Sequence, residues 1–185
     1  MDVQTFEIEG PCLLTPARYE DSRGYFSETF NAQRFETMTG VSTNFFQDNE
    51  SRSLLAGTVR GLHYQSPPHA QGKLVRCVAG AILDVAVDVR RGSDTYGQHI
   101  RVELSAANGA QLWIPVGFLH GFSTRLDNTV VQYKVTDHYA AACEGSIRFD
   151  DPGLGIDWDL TGDTILSEKD KSAPAFSDWA SPFTI

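Results

Sequence analysis

The sequence predicts an all-β protein of the sandwich or jelly-roll type. About ten short runs alternate apolar and polar residues with a period of two, turn residues separate them, and no 3.6-residue periodicity is sustained. One segment alone carries the marks of a helix. At 185 residues, with no repeat, linker or low-complexity block, residues 1–185 read as one domain, large enough to bury roughly two thirds of its unfolded surface.

Residues 6–14 read as an edge-like strand broken by Gly10 and Pro11, and residues 19–24 as a polar turn that exposes Arg23. Residues 25–30 alternate as a strand that sets Glu28 between Phe26 and Phe30 on one face. Asn31 can cap a short helix to Thr39, and Gly40 can end it. So short a helix decorates a sheet. Residues 44–49 begin as a strand with Gln47 and Asn49 on one face, and residues 51–55 read as linker.

The centre of the chain is residues 57–88. Leu83, Val85, Val87 and Val89 share one face and Asp84, Ala86 and Asp88 the other, the period of a half-buried strand. Lys73 falls in step with Val75, Cys77 and Ala79, and His63 with Val59 and Gly61. A lysine and a histidine thus sit on faces otherwise small or apolar, which points both inward. Residues 66–71 are a loop whose prolines cannot join a ladder.

Beyond Arg90, residues 92–97 are a turn, Ile100, Val102 and Leu104 alternate as a strand, and Asn108 with Gly109 is a hairpin signal. Residues 112–114 form a strand stopped by Pro115. Residues 130–135 alternate again, placing Tyr133 beside Val131 and Val135 with Gln132 and Lys134 opposite. Residues 146–149 read as a strand, and the tail from Asp157 as irregular with a helical turn before Pro174.

A formal net charge of -9 argues against nucleic acid, whose binders present a basic footprint. A local cluster of Arg18, Arg23, Arg60, Lys73 and Arg76 suits a small anionic ligand. Cys12, Cys77 and Cys143 are odd in number and widely spaced, hence free thiols. The acidic N-terminus lacks a secretory core, and no apolar run of about 18 residues spans a membrane. The expectation is a cytoplasmic protein.

Two spacings resemble the cupin motifs. Gly109, Pro115, Gly117 and His120 fit the second motif, and Gly57 with His63 begins the first. That motif then departs, with Gln65 where metal-binding cupins place a histidine and no later glutamate. His63 and His120 alone are too few to hold a catalytic divalent metal, so no metal or other cofactor is expected. The whole chain resembles the dTDP-4-dehydrorhamnose 3,5-epimerase family. The matching phrases include Asp-Ser-Arg-Gly-Tyr-Phe-Ser-Glu-Thr-Phe at 21–30, Val-Arg-Gly-Leu-His-Tyr-Gln at 59–65, Gln-Gly-Lys-Leu-Val-Arg-Cys at 71–77, Leu-Trp-Ile-Pro-Val-Gly-Phe-Leu-His-Gly-Phe at 112–122 and Leu-Ser-Glu-Lys-Asp at 166–170.

The resemblance implies a cupin-type jelly roll with short peripheral helices, a homodimer, and inversion of C3 and C5 of dTDP-4-dehydro-6-deoxy-D-glucose. A ketone at C4 makes the neighbouring C–H protons acidic, so the chemistry needs a base on one face, an acid on the other and a cation at the enolate oxygen. By resemblance His63 is the base, Asp170 its partner, Tyr133 the acid and Lys73 the cation, with Asp84 close enough to balance the lysine. Arg23 and Arg60 would grip the diphosphate, since a guanidinium donates two parallel hydrogen bonds. Glu28, Gln47 and Asn49 would surround the nucleotide, Tyr139 would stack on thymine, and His120, Glu144 and Lys169 would contact substrate.

Arg60 and His63 have opposite strand parity. Either a bulge at Gly61 reconciles them, or a partner subunit supplies part of the nucleotide site. Three other readings stay open: an enzyme inverting only C3 or only C5, a metal-dependent cupin oxygenase, and a non-catalytic nucleotide-sugar binding module.

Overall fold

The computed structural model describes residues 1–42 and 44–185. Strands β1 (Asp2–Thr5) and β2 (Cys12–Thr15) precede a small hairpin of β3 (Tyr19–Asp21) and β4 (Gly24–Phe26), then helix α1 (Ala32–Thr39). Next come β5 (Gln47–Ser53), β6 (Val59–Gln65), β7 (Lys73–Ala79), β8 (Ala81–Asp88) and β9 (His99–Ser105). β10 (Gln111–Ile114), β11 (Phe118–Thr124), β12 (Thr129–Val135) and β13 (Glu144–Ser146) follow, with α2 (Glu168–Lys171) in the tail. A six-stranded sheet ordered β1-β2-β10-β7-β12-β5 packs on a five-stranded sheet ordered β13-β6-β11-β8-β9. This is a cupin-like jelly roll with few, short helices.

The core between the sheets takes Val75, Cys77, Leu112, Ile114 and Val131 from one and Ile82, Ala86, Ile100, Leu104, Phe118 and Phe122 from the other. α1 lies on the outer face of the six-stranded sheet, with Phe35 packed on Leu74 and Trp113. Its ends follow the sequence: the Asn31 side chain accepts from Arg34 N–H, and Gly40 turns out at φ 71°. The tail covers the outer face of the other sheet, Leu154, Trp158 and Phe183 packing on Val59, Leu83, Val85 and Val87.

That cover corrects one expectation: β8 is buried on both faces rather than half-buried. Several boundaries also differ. Phe6 to Pro11 link β1 to β2 instead of forming an edge strand, and Tyr19–Asp21 is a strand, not a turn. Residues 27–30 lie outside β4. Ser51 to Ser53 are in β5, because they pair with Val131 to Thr129 of β12. β13 begins at Glu144 and ends at Ser146. Asn108 and Gly109 do not close a hairpin, since β9 edges one sheet and β10 lies within the other. The turn carries the chain across the sandwich, with Asn108 Oδ1 accepting from the N–H groups of Ser105 and Ala110.

One irregularity positions the site. β11 pairs His120 with His63 and then Phe122 with Arg60, so three steps on β6 oppose two on β11. This bulge undoes the simple parity that put His63 in step with Val59. Val59 and Leu62 face the tail, while Arg60 and His63 both line the interior cavity. Gly61 makes this possible. Its φ is +133°, and a Cβ there would lie 2.5 Å from Gly121 Cα. Gly61→Ala should therefore lower stability by about 2–4 kcal/mol, the combined cost of overpacking and a disfavoured φ, measured by urea unfolding.

Candidate active site

The cleft between the sheets has two lobes, of about 330 Å³ and 450 Å³, which share His63, Lys73, Tyr133 and Glu144. Arg60, His120, Phe122, Lys169 and Asp170 are among the further residues lining the larger lobe, and Gln47, Asn49, Gln65, Gln71 and Tyr139 among those lining the smaller. His63 reaches it from the five-stranded sheet, Lys73 and Tyr133 from the six-stranded sheet.

His63 Nε2 lies 2.6 Å from Asp170 Oδ1, a contact spanning 107 residues of chain. The other carboxylate oxygen accepts from Ser167 Oγ at 2.9 Å, and Ser167 Oγ in turn accepts from Asp170 N–H. Ser167 thus caps α2 through its hydroxyl and orients the acid at its third position. Burial alone would raise the Asp170 carboxyl, but the His63 and Ser167 hydrogen bonds and the Lys169 charge outweigh it, holding it below the ordinary value. A carboxylate there fixes the orientation of the imidazole ring.

A second pair lies deeper. His120 donates from Nε2 to Asp84 Oδ1 at 2.8 Å, and burial lowers the His120 ring pKa even against that carboxylate. Asp84 Oδ2 is buried with no hydrogen-bond partner among the described residues. Lys73 is lowered to about 8, chiefly by desolvation, with Asp84 and Glu144 partly opposing. Burial raises the Tyr133 phenol, so it stays a protonated donor. Lys73 at the start of β7 and Tyr133 on β12 therefore stand as proton-bearing N–H and O–H groups on the wall opposite His63.

Towards the opening, Glu144 receives Lys169 Nζ at 2.6 Å and the Tyr139 hydroxyl at 3.2 Å. Those partners outweigh burial and keep its carboxyl low. Gln47 donates to Asn49 Oδ1. Arg60 holds two contacts on β5, to Ser53 Oγ and the Arg52 carbonyl.

Two of the residues read from the sequence lie outside the cleft. Arg23 is at the tip of the β3–β4 hairpin with its side chain 87% exposed and paired to Asp21. Glu28 is held by Asn31 and Arg34. Ser167, Gln65 and Gln71 were not read as site residues, although Ser167-x-x-Asp170 is a legible capping pattern. Among the described residues no group of three or more His, Cys, Asp or Glu is placed to hold a metal. His63 and His120 are cross-strand neighbours, yet each commits Nε2 to a carboxylate.

A jelly roll whose cleft holds a His–carboxylate pair facing a lysine and a phenol is the architecture of a cupin-like epimerase. The chain belongs to the family described as dTDP-4-dehydrorhamnose 3,5-epimerase, whose profile it matches over residues 5–178. It is 49% identical over 178 residues to the enzyme of that name from Sinorhizobium fredii, covering 96% of this chain and 91% of that one. The dTDP-6-deoxy-D-glucose-3,5-epimerase of Legionella pneumophila, solved with dTDP-4-keto-L-rhamnose, superposes with a TM-score of 0.92 at 45% identity, covering 95% and 93% of the two chains. ChmJ, a 3'-monoepimerase of Streptomyces bikiniensis solved with dTDP-quinovose, gives 0.87 at 34% identity over 93% and 86%.

The electrostatics are directly measurable. The Lys73 ammonium should titrate at about 8 in an NMR titration of 13Cε-labelled lysine. Asp84→Asn, by removing an opposing charge, should move it lower still. A Lys73 resonance titrating like a solvated lysine would show that the cleft is wet.

Proposed function

We propose that this chain inverts C3 and C5 of dTDP-4-dehydro-6-deoxy-D-glucose to give dTDP-4-dehydro-L-rhamnose. The observation that carries the reading is that an imidazole tied to a carboxylate and a protonated phenol reach one cleft from opposing sheets. His63 removes the proton α to the C4 ketone, and Asp170 stabilises the imidazolium that results. The carbanion's charge passes to the C4 oxygen as an enolate, where the Lys73 ammonium supplies positive charge and a hydrogen bond. Tyr133 returns a proton to the opposite face, and repetition at the second carbon completes the reaction.

The two lobes divide the substrate. The hexose occupies the larger, with Arg60 at the diphosphate and Lys169 and Glu144 at the junction. The nucleoside lies along Gln47, Asn49 and Tyr139. No step calls on a cofactor. Inversion at both carbons, rather than at one, is favoured by the higher identity to double epimerases than to the single-carbon enzyme.

The working unit of this reading is a homodimer of single jelly-roll domains. The β3–β4 hairpin leaves Tyr19, Tyr25 and Phe26 exposed at 61, 57 and 70%, an apolar surface of the kind interfaces cover. A partner's hairpin would bring Arg23 to the diphosphate and Glu28 to the nucleotide of the opposite site. A cytoplasmic setting accords with three unpaired thiols in a reducing compartment.

Turnover in deuterated water should place label at both C3 and C5, read by NMR of the product, and label at neither carbon would end the proposal. His63→Ala should abolish exchange. Tyr133→Phe should retain exchange while losing inversion, since the base still works from its own face. Asp170→Asn should cut kcat/KM by about 10²–10⁴-fold. Because the ammonium form of Lys73 predominates only below about 8, kcat/KM should fall as pH rises through that value. Phe26→Asp should yield a monomer in sedimentation, with weakened thymidine diphosphate binding.

A further inference from the structure

Gln65 stands two residues beyond His63, at the last position of β6, where metal-binding cupins carry a ligand. It is 5% exposed, and its amide is committed elsewhere. Nε2 donates to the carbonyl oxygens of His69 and, at 3.0 Å, of His138. Oε1 accepts from Ala140 N–H at 2.9 Å. From the other sheet, Gln47 at the start of β5 accepts from Tyr139 N–H at 3.0 Å. The backbone of residues 138–140 leaves the ladder after β12 and is held by two amides, one from each sheet.

We infer that Gln65 is a positioning residue for the nucleotide end of the site, clamping residues 138–140 so that the exposed Tyr139 ring is set to receive a nucleobase. This rests on the reading that Tyr139 stacks on thymine. A stacking surface adds affinity in proportion to how little ordering binding must still impose. Tyr139 is 57% exposed, so packing does little to fix it. Its backbone is set by the glutamines, and its hydroxyl by Glu144.

The chemistry of the clamp selects the residue. Two carbonyls need two donors and one N–H needs an acceptor, all at the end of a side chain of this length, which a primary amide alone supplies. Glutamate offers no donor to the carbonyls. Histidine offers one ring nitrogen to each side and fails at least one contact. The position that serves metal binding elsewhere in this fold is here used to shape the recognition loop.

The test combines Gln65→Leu, Gln65→Glu, Tyr139→Ala and the double substitution Gln65→Leu with Tyr139→Ala. Gln65→Leu should raise both the KM for the nucleotide sugar and the Kd for thymidine diphosphate by about tenfold, with kcat changed by less than about threefold. The double variant should bind no more weakly than Tyr139→Ala, because the clamp acts through that ring. Hydrogen exchange of the amides of residues 138–140 should quicken in Gln65→Leu. An unchanged Kd with unchanged exchange, or a Kd loss additive with that of Tyr139→Ala, overturns the clamp. Full-affinity binding by Tyr139→Ala would instead overturn the stacking reading, and the exchange rates then decide the clamp alone. Should Gln65→Leu fail to fold, Gln65→Glu retains the acceptor but loses both donors, and shifts in Kd and exchange in the same direction are expected from it.

Discussion

The 2.6 Å contact between His63 and Asp170 joins two parts of the chain that otherwise have separate jobs. β6 belongs to the jelly roll, whereas α2 belongs to a tail that crosses the outer face of the same sheet. The tail docks because Trp158, Leu154 and Phe183 bury apolar surface on β6 and β8, each large side chain contributing roughly 1.5–3 kcal/mol. A charge-assisted hydrogen bond adds about 1.5–3 kcal/mol. Hydrophobic docking therefore sets where α2 lies, and the carboxylate then orients the imidazole within a framework already fixed.

The cleft gathers opposite charges without cancelling them pair by pair. Asp170 holds His63, Asp84 holds His120 and Glu144 holds Lys169. Lys73 is left to lean on Asp84 and Glu144 through space, and desolvation draws its proton towards release. The same desolvation acts on Tyr133 in the other direction, keeping the phenol neutral. One low-polarity interior thus yields a weakly held ammonium and a phenol that stays protonated on adjacent strands.

Much of this was legible residue by residue. Period-two alternation identified β7, β8 and β12, and on β7 and β12 it gave the inward direction of Lys73 and Tyr133, whereas Asp84 was placed beside Lys73 only as the acid needed to balance its charge. It failed at β6, because the extra residue at the Gly61 bulge reverses parity between Arg60 and His63. It failed again on β8, since nothing local announces that a tail from beyond Ser146 covers the second face. Asp170 was assignable by family likeness alone, as no spacing rule links positions 107 residues apart. Gln65 was noticed for the ligand it is not, and its hydrogen bonds to a loop more than 70 residues away leave no trace in the local pattern.

α2 comprises four residues, Glu168–Lys171, too few to hold a helical form unaided. Its order is borrowed from the surface it lies on, so this segment sits at the low end of the molecule's local stability. Warming would free the carboxylate from the ring well before the sheets part. Loss of turnover would then precede loss of β structure, and an enzyme of this design could be thermally inactive while still folded.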